Sequence, residues 1–344
     1  MHTPDIWLCF SGGNALGAYH AGVYEVLYQN VIEVSRIAGA SIGAVTGAVI
    51  AGNRPEKRVP QLRRFWDLAA ETELPFFHPL AVITGRAERR RSVLRAFLAG
   101  RPGLFRPSFP GVWSVLSPGA SDRSLLNSEP LRHTLTELID FHRISDGVIP
   151  VIITAVDIET GEEVVFDSRG GELSVDHIMA STAFPIAFPP VPVGGRTFVD
   201  PGIVANLPLQ ALFSGQLQED VLCICLDLFA QQDKVPTSME ETVRRTTDIL
   251  FGSQSRHAMR RLKTAVNSSE GASITIIHLD YGNRFDDIGL KTFDYSRKSI
   301  NERWNVGFRD GRRLVDAIGR MPPRRHRLDI WRLSEAGRLE YWDL

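Results

Sequence analysis

Apolar positions along the chain gather into short unbroken runs. Ile6–Phe10, residues 31–38, DVLCICLDLF from Asp220 and SITIIHLDY from Ser273 are the clearest, with Arg196–Val199 a shorter one before an Asp-Pro-Gly turn. Such runs predict buried strands. A helical period replaces them over Thr237–Val266 and Ser296–Ile318, where arginines take the outward positions. Strands interleaved with helices predict an α/β fold. The first run leads directly into FSGGNALGAYHAG, Phe10 to Gly22, a glycine turn that becomes helical. Strand, glycine turn and helix together present backbone N–H groups at a helix N-terminus, where a negative group is held. Two occupants remain open for it: a permanent phosphate, or an oxyanion that exists only during a reaction.

A second strand–turn–helix passage follows. Residues 31–38 read as a strand and Ala44–Ala51 as a helix, with G-x-S-x-G between them as Gly39-Ala40-Ser41-Ile42-Gly43. This is the context of a nucleophile elbow, where serine sits on a sharp turn with small neighbours and shows its hydroxyl at a helix N-terminus. The motif alone also occurs in Gly/Ser turns that serve only close packing. The histidines after Ser41 are His78, His133, His142, His177, His257, His278 and His326, and none lies in a glycine-flanked loop after a strand. His278 falls within an apolar run and reads as a core or edge-strand residue. The better base is Asp200, which closes the strand Arg196–Val199 and opens onto the loop of GGRTFVDPGIVANLPL. Strand ends opening onto loops are where α/β folds place functional groups. Asp-Pro-Gly is equally a common turn sequence, so Asp200 alone decides nothing.

Taken in order and spacing, these passages resemble one family, the patatin-like phospholipases. SGGNALGAYHAGVYEVL is similar to its glycine-rich oxyanion loop and first helix, and GASIGAVTGA to its nucleophile elbow. TAVDIETGEEVVFDS and HIMASTAFPIAFPPV resemble the strands and Ala/Ser-rich helix before its aspartate, and VDPGIVANLPL its Asp-Gly-Gly/Ala block with the following Asn-x-Pro. FDYSRKSINERWNVGFRDGRRL resembles the C-terminal helix of a bacterial subgroup. The resemblance covers most of Ile6–Leu209. It implies a three-layer α/β/α fold on a mostly parallel central sheet with a cap insertion, and a lipid acyl hydrolase working through a Ser-Asp dyad. It casts Ser41 as nucleophile, Asp200 as general base and acid, Gly12, Gly13 and Asn14 as oxyanion loop, and Gly39 and Gly43 as the elbow. It calls for no metal and no cofactor, and for a phospholipid or other acyl ester as substrate. The loop matches neither nucleotide-binding fingerprint and no lysine follows it, so a transient oxyanion is the expected occupant.

The sequence departs from the family pattern at Asn14 and Pro201, where glycines are usual, and at Leu16, where a basic residue is frequent. Proline fixes φ, removes an N–H and pushes the preceding residue toward extended geometry. A catalytically inactive lipid- or partner-binding protein is the alternative these departures motivate. A thioesterase or polyester-type esterase is the alternative within the same chemistry.

Composition refines this only slightly. The chain has 344 residues, 43% hydrophobic and 23% charged, with a net charge of -1. It reads as one domain, 1–344, with a core at roughly 4–210, a cap insertion about 74–126, and 211–344 completing or flanking it. Near-neutral charge argues against nucleic acid as a partner, and nothing in the pattern sets an oligomeric state. Cys9, Cys223 and Cys225 fall in buried strands, the last two on one face. That argues against a disulfide or metal site and for a reducing, cytoplasmic setting. The opening MHTPDIWLCF has no basic region leading into a long apolar one, as a secretory signal requires. Ile37–Gly52 is uncharged but is short and Ala/Gly-rich beside the ~20 apolar residues of a membrane span. Seven arginines face one glutamate from Arg86 to Arg106, amid prolines and aromatics. Such a cap suits peripheral contact with an anionic membrane, although a solvated arginine face produces the same pattern.

Overall fold

The structure, a computed structural model, describes residues 4–70, 85–108, 123–215, 217–267, 271–282 and 288–344. The first third contains strand β1 (Asp5–Phe10), helix α1 (Ala18–Gln29), β2 (Arg36–Gly39), α2 (Ile42–Ala51), α3 (Pro55–Ala69) and α4 (Arg86–Ala99). A small ribbon of β3 (Arg106–Pro107) and β4 (Leu126–Asn127) leads to α5 (Glu129–Leu138), α6 (Phe141–Ser145), β5 (Val151–Asp157) and β6 (Glu163–Asp167). Next come α7 (Val175–Thr182), β7 (Val191–Val193), β8 (Arg196–Val199), α8 (Leu209–Leu212), β9 (Val221–Asp227) and α9 (Met239–Asn267). The chain closes with β10 (Ile274–Asp280), α10 (Arg297–Ile318), β11 (Leu328–Leu333) and β12 (Leu339–Tyr341).

Ten strands form one sheet in the order β12-β11-β10-β9-β1-β2-β5-β8-β7, with β6 also on β5. The run from β11 to β5 is parallel, and the antiparallel pairs lie at its margins. Buried apolar runs belong in parallel strands, which are covered on both faces. Alternation along β1 makes the two faces visible: Leu8 and Phe10 join the core shared with α1, α2 and α10, while Trp7 and Cys9 join the one shared with α8 and α9. The result is a helix–sheet–helix stack.

Five expectations take sharper form here. The strand read over 31–38 is shorter, because Val31 stands at φ 55 in the turn that ends α1 and pairing begins only at Arg36. Residues 211–344 do not flank a finished core, since β9 pairs directly with β1 along its whole length. Ile37–Gly52 divides into β2, a turn and α2, and among the described residues no helix is long and apolar enough to cross a membrane. Cys223 and Cys225 lie side by side as buried free thiols, their Sγ atoms 3.8 Å apart. The arginine-rich segment forms α4, but not all its cations face outward. Arg89 and Arg101 are each 4% exposed; Arg89 pairs with Glu302 and Asp294, and Arg101 donates to the carbonyls of Gly100 and Ser92. Most of the remaining proline- and aromatic-rich stretch of the expected cap, 74–84 and 109–122, lies outside the described residues.

Candidate functional site

Ser41 sits between β2 and α2 at φ 55, ψ -123, backbone geometry costly for a residue with a side chain. Its neighbours hold it there. The N–H of Ser41 donates to Ser181 Oγ on α7 at 2.9 Å, and its carbonyl accepts from Ala44 at 2.9 Å. The flanking glycines are dictated by close approach: a Cβ on Gly43 would meet Phe10 O at 2.4 Å, and one on Gly39 would meet Gly43 O at 2.3 Å. G-x-S-x-G is therefore a packing requirement of this turn as well as a way to expose the hydroxyl.

Ser41 and Asp200 line the same pocket, with Asp200 2% exposed, and the nearby Ser41 hydroxyl favours the ionised form of that carboxyl. Burial pushes that carboxyl from 3.8 up to about 7, opposed by the nearby Ser41 hydroxyl and by the hydrogen bond from the Gly202 N–H. The latter reaches Asp200 Oδ1 at 2.7 Å. Pro201 fits without distortion. It opens a 3-10 turn, Pro201–Ile203, at a position where a missing N–H costs nothing, and Asp200 adopts the extended geometry that precedes proline, φ -56 and ψ 130.

The glycine loop packs against this pair. Gly12 approaches so closely that a Cβ there would lie 3.0 Å from Ser41 Cβ. Its N–H, however, donates to the Asn206 carbonyl at 3.0 Å, so Gly12 supplies close approach and not a free donor. Among the described residues, the N–H groups of Gly13 and Asn14 have no acceptor. Asn14 takes a positive φ of 54, in place of the glycine expected there, and its Oδ1 accepts from the hydroxyl of Tyr295. Leu16, at the other departure from the pattern, is fully buried. Asn206 clamps the two loops together: its Nδ2 donates to Gly12 O at 3.3 Å and its N–H to Gln254 Oε1 at 2.7 Å, while Gln254 Nε2 donates to Gly202 O at 2.9 Å.

Ser41, Asp200, Gly13 and Asn14 open onto one pocket. Its walls are mainly apolar, with the aromatic rings of Phe65, Phe105, Phe184, Phe188, Phe229, Phe251, Phe293 and Tyr295 among them. Among the described residues no histidine lines it. His278 is buried on β10 beside Asp227, and His177 caps α7 against Ser174. Among the described residues no group of three or more His, Cys, Asp or Glu is placed to hold a metal ion. Sequence reasoning missed the contribution of the C-terminal half. Phe229, Phe251, Phe293, Tyr295 and the clamp residue Gln254 lie after Leu209, in segments that read as structural. Tyr295 was visible within FDYSRK, but nothing in that pattern tied it to Asn14.

Fold and site together define an α/β protein with a serine on a strand-to-helix elbow, sharing a pocket with a buried aspartate and a glycine loop. A family model described as patatin-like phospholipase matches residues 8–213, and another, described as patatin phospholipase, matches residues 228–324. The chain belongs to the patatin-like phospholipase family. Two uncharacterized NTE family proteins of Mycobacterium tuberculosis are similar to it. One is 27% identical over 207 residues, covering 60% of this chain and 45% of its own length. The other is 26% identical over 224 residues, covering 65% of this chain and 30% of its own. The chain thus spans less than half the length of these relatives. Among solved structures, VipD from Legionella pneumophila superposes with a TM-score of 0.45 at 14% identity, covering 91% of this chain and 67% of that one. Human GIVD cytosolic phospholipase A2, bound to methyl gamma-linolenyl fluorophosphonate, gives 0.31 at 16% identity, covering 64% of this chain and 40% of the other.

Proposed function

We propose that the protein is a serine acyl hydrolase of fatty acyl esters, acting through a Ser41–Asp200 dyad. The observation that carries this reading is that a serine on a strained strand-to-helix turn and a buried carboxylate line one aromatic-walled pocket. In the first step Ser41 Oγ attacks the ester carbonyl while Asp200 takes its proton. The tetrahedral oxyanion is met by the N–H groups of Gly13 and Asn14, each such donor being worth about 2.7–4 kcal/mol of barrier. Collapse expels the alcohol, which receives the proton from Asp200 and leaves Ser41 acylated. Water then attacks the acyl-enzyme with Asp200 again as base, releasing the fatty acid and restoring the serine. A carboxyl near 7 suits this exchange better than an ordinary one near 4, because base strength and availability then balance close to neutral pH. The walls supply apolar surface for an acyl chain, and the family's description as phospholipases supports phospholipids as one substrate class.

The test is labelling with a fluorophosphonate probe and intact-mass analysis, alongside hydrolysis of phospholipid and of 4-nitrophenyl esters. One adduct, mapped to Ser41 and absent from Ser41→Ala, is expected. Folded protein that neither labels nor hydrolyses any of these esters would favour the inactive binding protein.

A further inference from the structure

We propose that Tyr295 is a positioning residue of the oxyanion loop: its hydroxyl anchors Asn14 in left-handed backbone geometry, keeping the Gly13 and Asn14 N–H groups aimed into the pocket. The proposal rests on the reading of Ser41 as nucleophile. At φ 54, Asn14 occupies a region that residues with side chains seldom hold unaided. One hydrogen bond holds its side chain, and two more tie the neighbouring backbone. The Tyr295 hydroxyl donates to Asn14 Oδ1. One residue along each segment, a single Arg303 nitrogen, Nη1, donates both to Ala15 O at 3.2 Å and to Asp294 O at 2.7 Å, tying the two backbones together beside that bond. The Tyr295 ring is itself wedged, 1% exposed, edge-on to Phe105 at 5.7 Å and with the Arg101 guanidinium 5.9 Å from its centre. Burial raises the phenol's pKa, so it remains an O–H donor at neutral pH. With its proton committed to Asn14, Tyr295 acts through that residue and not on the substrate.

Tyr295→Phe keeps the ring and removes the donor. With the full chain and 4-nitrophenyl octanoate, kcat is expected to fall about tenfold, as small misplacements of a site do, while KM holds within about twofold. Glycine takes a positive φ unaided. In an Asn14→Gly background, whatever rate that change sets, Tyr295→Phe should therefore lower kcat by no more than about twofold. This coupling is a signature that a tyrosine supporting only the fold does not give. An unchanged kcat in Tyr295→Phe, or a tenfold loss that persists undiminished beside Asn14→Gly, overturns the proposal. If Tyr295→Phe folds poorly, the bond is probed from its other end: Asn14→Ala should lose activity and Asn14→Asp, which keeps an acceptor, should recover most of it. Equal losses in those two variants also overturn it. Ser41→Ala, assayed alongside, keeps the two readings apart. Turnover surviving there defeats Ser41 as nucleophile, whereas turnover lost there but untouched by Tyr295→Phe defeats only the positioning role.

Discussion

Replacing Asp200 with asparagine should make the protein more stable and inactive at once. Burial lifts the Asp200 carboxyl from 3.8 to about 7. At about 1.4 kcal/mol for each tenfold change in the ionisation equilibrium, that rise means the ionised carboxylate lowers folding stability by on the order of 4 kcal/mol above pH 7. The sign follows from proton linkage. Between 3.8 and about 7 the folded chain keeps a proton that the unfolded chain has released, so stability falls as pH rises through that window and is restored below it. Asparagine has nearly the same shape, retains an oxygen for the Gly202 N–H, and has no charge to desolvate. Relaxation around a buried charge trims the gain, so about 2–4 kcal/mol is expected at about pH 8.5. In a chain of this size that is several degrees of melting temperature, and the difference should close toward about pH 4. Hydrolysis should fall at least about 10³-fold at every pH, as for loss of one member of a catalytic unit. Calorimetry or thermal melts of both proteins across this range are the assay. Equal melting temperatures at high pH, or a gap that does not shrink on acidification, would refute the account of Asp200 as a buried, proton-retaining carboxyl. A stabilised variant with full turnover would remove Asp200 from the chemistry.

Other outcomes follow from the same geometry. Ser41→Ala should lower ester hydrolysis by at least about 10³-fold with an unchanged circular dichroism spectrum; residual turnover in purified protein excludes Ser41 as nucleophile. For the parent, kcat/KM should rise with pH through about 7 and then level off, because the carboxylate is the basic form, and a flat profile across that range contradicts the dyad. Pro201→Gly should cost about 0.4–1 kcal/mol through the freer unfolded chain and leave hydrolysis within about twofold; a large gain would mean that proline holds Asp200 out of reach. Gly43→Ala forces a methyl against Phe10 O, where a Cβ would lie at 2.4 Å. It should destabilise by about 1–3 kcal/mol or more, and an unaltered melting temperature would mean the elbow is looser than its geometry implies.

The parts of the fold legible in the sequence were those where one local rule dominates. Buried parallel strands such as Val221–Asp227 declare themselves by unbroken apolar runs, and the elbow by glycines that close packing permits no alternative to. Helix α10 declares itself by its period. What remained hidden depends on contacts distant in sequence. Nothing in a run of arginines distinguishes Arg89 and Arg101, which are buried, from Arg90, which meets Glu240 at the surface. Nothing near Gly12 announces that Asn206 takes its N–H. The pocket is the extreme case: Phe229, Phe251 and Tyr295 arrive from three separate segments, each patterned like ordinary core.

The two departures at glycine positions of the family pattern, Asn14 and Pro201, meet different physical demands, and the fold answers each in its own terms. Pro201 removes an N–H, but at the first position of a 3-10 turn, where no intrahelical acceptor exists; the carboxylate draws instead on the Gly202 N–H one residue later. Asn14 brings a side chain to a backbone conformation that glycine enters freely. Its side chain becomes the handle by which Tyr295 grips the loop. In one case the lost group was never needed; in the other the added group is put to use. Neither substitution therefore argues for a dead site. Both leave Ser41 and Asp200 in one pocket and, among the described residues, the Gly13 and Asn14 N–H groups unengaged, and it is the labelling of Ser41 that decides whether that arrangement turns over.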